Sequence, residues 1–88
     1  MKYFVYFVSI VIMQYRNIGQ FIRLKRIALG MSLNNFAISN DIEPAVLSRV
    51  ERGMQDVKFG VLVKIAQGFK MLVSEFVIEY EKSNFTQN

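Results

Sequence analysis

The chain contains no cysteine and no histidine. Without cysteine it has neither disulfides nor thiolate metal ligands. Without histidine it lacks the commonest general base and the commonest metal ligand. Carboxylates are few and scattered. Asp41 and Glu43 are the only close pair before the C-terminal tail, and they suit a turn and a helix start. The expectation is a protein that is not an enzyme and holds no cofactor or metal. Long apolar runs are missing too. The longest, at residues 1–13, falls short of the roughly 20 residues a transmembrane helix needs.

What is present is one small domain's worth of chain, 88 residues. That length buries a helical core without staples, but with little margin. The net charge is +4 and unevenly spread. Residues 13–70 carry nine Lys/Arg against four Asp/Glu, whereas residues 71–88 carry one Lys against three Glu. A basic body with a mildly acidic tail suits a polyanionic partner, although a solvated surface would read the same way.

Residues 1–13, MKYFVYFVSIVIM, differ from the rest. As a signal peptide the run has Lys2 and an apolar stretch, yet no small-residue cleavage site. As an ordered element it would be a strand or an apolar arm pairing in a dimer. A further reading places the natural start at Met13, from which the domain reads complete. The division expected is an apolar N-terminal extension at 1–13, a helical domain at 14–82 and a tail at 83–88. A membrane role for the extension is the least favoured reading, and a cytoplasmic protein is expected.

Five helices are predicted. Residues 18–29 place Ile18, Phe21 and Ile22 on one stripe, joined by Ile27 or Leu29, with Arg23, Lys25 and Arg26 facing elsewhere. Gly30 stops this helix. Ser32 caps the next, which runs to about Ser39. Asp41 falls where the turn needs φ > 0, a region that Asp tolerates. Pro44 suits the first turn of a third helix, where its missing N–H is harmless. Gly53 closes that helix. A fourth helix is read from Lys58 to Phe69, with Leu62, Ile65, Ala66 and Phe69 on one face. A fifth is read from Val73 to Glu81, where Val73, Phe76, Val77 and Tyr80 recur at i, i+3, i+4, i+7. Residues 31–53 thus read as two short helices joined by a tight turn, a unit that small domains use to offer a helix to the DNA major groove.

At these residues the chain resembles the helix-turn-helix family of lambdoid phage repressors and the bacterial regulators similar to them. The resemblance covers residue 18 to about residue 80. Lys25 to Gly30 looks like the close of the family's first helix. Phe36-Ala37 matches its Leu-Ala pair, Leu47-Ser48-Arg49-Val50-Glu51-Arg52-Gly53 its most recognisable signature, and Leu62 to Ala66 its fourth helix. The resemblance implies an all-α, five-helix repressor-like domain in which Ala37 sits where the two helices cross. It also implies a pair between Arg26 and Glu51 that is mainly orienting, because an exposed ion pair is worth little.

For function the resemblance implies a DNA-binding transcriptional regulator, of repressor type, with helix 43–52 in the major groove of double-stranded DNA. The DNA-facing residues would be Ser32, Glu43, Pro44, Ala45, Arg49, Arg52 and Lys58. Arg49 would address guanine, Ala45 and Pro44 a thymine methyl, and Glu43 a cytosine amino group. Ser32 and the backbone near Lys58 would hold phosphates. Where the family often has polar side chains this chain has Leu33, Pro44 and Ala45, and Glu43 stands where Ser or Thr is common. Lys70 and Leu72 replace the usual Gly stop and polar cap, which predicts a looser joint before the fifth helix. One such helix reads too little sequence alone, so a homodimer is expected, with Val73, Phe76, Val77 and Tyr80 at its interface and Ile78 adding to it. The competing assignment for Phe76 and Tyr80 is the protomer's own core. The alternative function is a protein–protein module such as an antitoxin, favoured by the apolar Leu33, Pro44, Ala45 and Val46.

Overall fold

The computed structural model describes residues 17–83. The expectations for residues 1–13 and for the tail beyond Ser83 lie outside the described residues. Among the described residues the chain is all-helical: α1 is Ile18–Ala28, α2 Leu33–Ser39, α3 Pro44–Glu51, α4 Phe59–Gly68 and α5 Val73–Glu81. None is long and apolar enough to cross a membrane.

Each of the first four helices ends in the same way. Residues Gly30, Asp41, Gly53 and Lys70 take left-handed φ of 74°, 57°, 72° and 59°. At each end the next two N–H groups turn back onto the last-turn carbonyls. After α1, Gly30 donates to Ile27 and Met31 to Arg26; after α4, Lys70 donates to Gln67 and Met71 to Ala66. These paired bonds satisfy carbonyls that a helix end otherwise leaves bare.

The joint before α5, expected to be loose, is therefore closed. Lys70 adopts the conformation a glycine would supply. Leu72 has no side-chain acceptor, but the Glu75 carboxylate accepts from the Leu72 N–H at 2.8 Å. That bond is half of a capping box, supplied from three residues downstream.

The core is built from one stripe of each helix. Ile22, Phe36, Ala37, Leu47, Ile65, Ala66, Phe76 and Tyr80 are fully buried. An aromatic chain runs through it: Tyr80 to Phe21 at 5.3 Å between centroids, Phe21 to Phe76 at 5.4 Å, Phe76 to Phe69 at 5.9 Å and Phe69 to Phe36 at 4.9 Å. This chain links α1, α5, the C-cap of α4 and α2. Such pairs contribute roughly 0.5–1.5 kcal/mol each beyond area burial.

Three residues at the end of α1 depart from expectation. Ile27 and Leu29 do not extend the apolar stripe; they are about half exposed. Arg26, expected to face away from the stripe, is buried. The reason is Glu51 at the end of α3, which gives the guanidinium an ionic partner inside the fold.

Candidate nucleic-acid interface

Helix α3 presents two unlike faces. Leu47, Val50 and Glu51 are buried, while Ala45, Arg49 and Arg52 are exposed. The last three recur at i, i+4 and i+7, which puts them on one outer stripe. Local sequence sets the start of the helix. Glu43 is extended at the N-cap, and Pro44 follows at the first helical position. The Glu43 side chain makes no capping bond, so its carboxylate stays at the surface.

Three attachments fix how α3 is presented. The first is a close approach by α1. A Cβ placed on Gly19 would stand 1.9 Å from the Val50 carbonyl oxygen, so only glycine lets the two backbones meet there. The second is the turn from α2, where Ile42 donates to the Ala37 carbonyl at 2.8 Å. Ala37 is fully buried at this crossing.

The third attachment is the Arg26–Glu51 pair. Arg26 Nε donates to Glu51 Oε2 at 2.8 Å and Nη2 to Glu51 Oε1 at 2.9 Å. Nη1 donates to the Met31 carbonyl at 2.8 Å. One guanidinium thus ties α1, the loop before α2 and the end of α3. The hydrogen bonds to Glu51 push the Arg26 guanidinium above its ordinary range, against the opposing effect of burial. Side-chain exposure of only 8% for Arg26 and 2% for Glu51 makes this a buried pair. The weak energetics expected of an exposed pair therefore do not apply.

The remaining residues singled out in the sequence are scattered around α3. Ser32 is the N-cap of α2, and its Oγ accepts from the Asn35 N–H at 3.1 Å. Arg49 is exposed, and its Nε donates to Gln55 Oε1. Arg52 lies back along the helix, donating to the Ser48 carbonyl at 3.3 Å. Lys58 is the N-cap residue of α4, whose first turn has no side-chain cap. Glu43, Pro44 and Lys58 are brought together on a cleft of about 680 Å3 that Gln55 also lines. Its floor is apolar, with Ile42, Val46, Val50 and Val61. Ser32 does not line this cleft. What the arrangement offers chemically is an exposed helical stripe of hydrogen-bond donors beside a shallow apolar cleft.

The residues expected at a dimer surface divide. Phe76 and Tyr80 are fully buried in the protomer, packed on Phe21. They have no surface to give to a second copy. Val73 and Val77 are half-buried against the same core. The Tyr80 hydroxyl accepts from the Asn17 N–H at 3.2 Å. Burial pushes the Tyr80 phenol above its ordinary value, and that bond opposes the shift.

Sequence reasoning missed Gly19 and Gln55. An isolated glycine inside a helical pattern is the only signal Gly19 leaves, and it does not say what comes close. Gln55 lies in a connecting segment with no pattern at all. Among the described residues no group of three or more carboxylates could hold a metal ion.

No known family model, curated protein or solved structure matches this chain.

Proposed function

We propose that this protein is a DNA-binding transcriptional regulator of the lambdoid repressor type, with α3 entering the major groove. The observation that carries the reading is the outer stripe of α3. Arg49 and Arg52 stand exposed on a helix whose opposite face is locked to α1 and α2. A rigid helix with outward cations is what groove recognition needs, because phosphate contacts set register and base-edge contacts set sequence. The order of the sequence motifs supports the same reading.

Specific binding would call for a second copy. With Phe76 and Tyr80 in the core, any contribution of α5 to that contact falls to exposed Ile78 and to the open edges of Val73 and Val77.

A protein-binding role is the second reading. Of the apolar residues that suggested it in the sequence, Leu33 and Val46 are partly buried against the core, Ala45 is exposed and Pro44 lines the cleft together with Val46. What favours it now is the exposure of Ile38, Met54 and Phe59, each more than 60% exposed.

The test is binding of generic duplex DNA at low salt, followed by a salt titration. A regulator that neutralises phosphates loses affinity steeply as salt rises, by about 1000-fold or more between 50 and 200 mM for six or more contacts. Absence of binding at low salt would overturn the proposal in favour of the second reading.

A further inference from the structure

We infer that Gln55 is a positioning residue for Arg49, and that the pair makes α3 select a guanine. The inference rests on the DNA-binding reading and names which side chains carry its specificity.

The chain reverses sharply at the end of α3. Gly53 takes a φ of 72°, and the Met54 N–H donates back to the Arg49 carbonyl at 2.9 Å. This reversal returns Gln55 to the side of Arg49, where its Oε1 accepts from Arg49 Nε. A guanidinium has donors and no acceptor, so only the amide oxygen can face it. The orientation of the amide follows: its NH2 group points away from the arginine.

The consequence is an edge made only of donors. Among the described residues neither Nη1 nor Nη2 of Arg49 has a hydrogen-bond partner, so both remain free to donate. Guanine presents two acceptors, O6 and N7, to such a pair in the major groove. Adenine and cytosine place an amino donor against it, and thymine offers one acceptor beside a methyl. Holding Nε in advance also removes part of the rotamer freedom that an exposed arginine would otherwise lose on binding. A phosphate would accept from the same two nitrogens, but it would leave no base preference.

The experiment selects bound sequences from a random duplex pool with the full chain, then measures affinity for all four bases at the selected position. The wild type should favour guanine by about 10-fold, and Arg49→Ala should abolish that preference. Gln55→Ala should reduce it to about threefold or less, with a larger loss on the selected site than on generic duplex. Gln55→Glu keeps an acceptor opposite Nε, so it should retain the preference while its added charge weakens binding to every sequence. Full guanine preference in Gln55→Ala, or an equal loss on all sequences, overturns the inference. A wild type that binds DNA without any guanine dependence on Arg49 overturns it while leaving the DNA-binding reading in place. A wild type that binds no duplex at low salt overturns both.

Discussion

Gly19 and Val50 meet backbone to backbone, so closely that a single methyl at Gly19 would fall 1.9 Å from the Val50 carbonyl oxygen. That oxygen belongs to α3 and cannot rotate aside as a side chain would. Gly19→Ala should therefore push α1 off α3 and destabilise the fold by about 3 kcal/mol or more. Urea unfolding of the variant measures it. A loss under about 1 kcal/mol would mean the two helices are not held in this contact.

The buried Arg26–Glu51 pair makes a second prediction. Removing either partner strands a charge in the interior, so Glu51→Ala or Arg26→Ala should each cost about 3–5 kcal/mol. The double variant Arg26→Met with Glu51→Leu should recover most of that loss. Recovery should be incomplete by about 1 kcal/mol, because the Met31 carbonyl also loses its donor. Single and double variants with additive losses would show that the pair is solvated.

Tyr80 ties stability to alkaline pH. Its pKa in the fold is raised above the ordinary value of 10.0 by burial. The neutral phenol is thus the form the fold favours. The stability it contributes is fully present below the unfolded-state value near 10 and is lost as pH rises through the higher folded value. At pH 8 wild type should exceed Tyr80→Phe by about 1 kcal/mol, from the bond with the Asn17 N–H. Above pH 10 that margin should shrink or reverse, since only the wild type then bears a phenolate to accommodate. A margin that widens with pH would contradict this placement of Tyr80.

The left-handed closures can be tested one against another. A Cβ at Gly30 or Gly53 would meet nothing within 4 Å, so any effect of alanine there is backbone strain alone. Gly30→Ala and Gly53→Ala should each lower stability by about 1 kcal/mol. Lys70 already bears that strain at φ 59°. Lys70→Gly should raise stability by about 1 kcal/mol, visible as a higher melting temperature.

Much of this architecture was legible in the residue pattern. The spacing of Phe76 and Tyr80 marked α5, and Gly30, Asp41 and Gly53 marked helix ends, because apolar periodicity and left-handed turns have local signatures. What was not legible depended on partners distant in sequence. The Arg26–Glu51 pair was implied by the resemblance, but as an exposed one, because nothing local reveals that both side chains will be buried. The stripe on α5 could not be divided between its own core and a second copy, since Phe21 lies far upstream. Lys70 stands where the resemblance implies a glycine stop, yet the left-handed closure there was not expected, because lysine has no preference for one. The α3 stripe of Ala45, Arg49 and Arg52 was visible as an exposed face, but the grip of Gln55 on Arg49 arises from a reversal that no periodicity marks.

The repeated helix ending has a kinetic side. Each left-handed turn redirects the chain within a short connection, so α2 meets α3, and α4 meets α5, with little chain between them. Small loops lose little entropy on closure, and folds assembled mainly from near-neighbour contacts form in about microseconds to milliseconds. The chain therefore spends little time with Phe36, Phe69 and Phe76 open to water, and the interval in which a partly folded copy could aggregate is correspondingly brief.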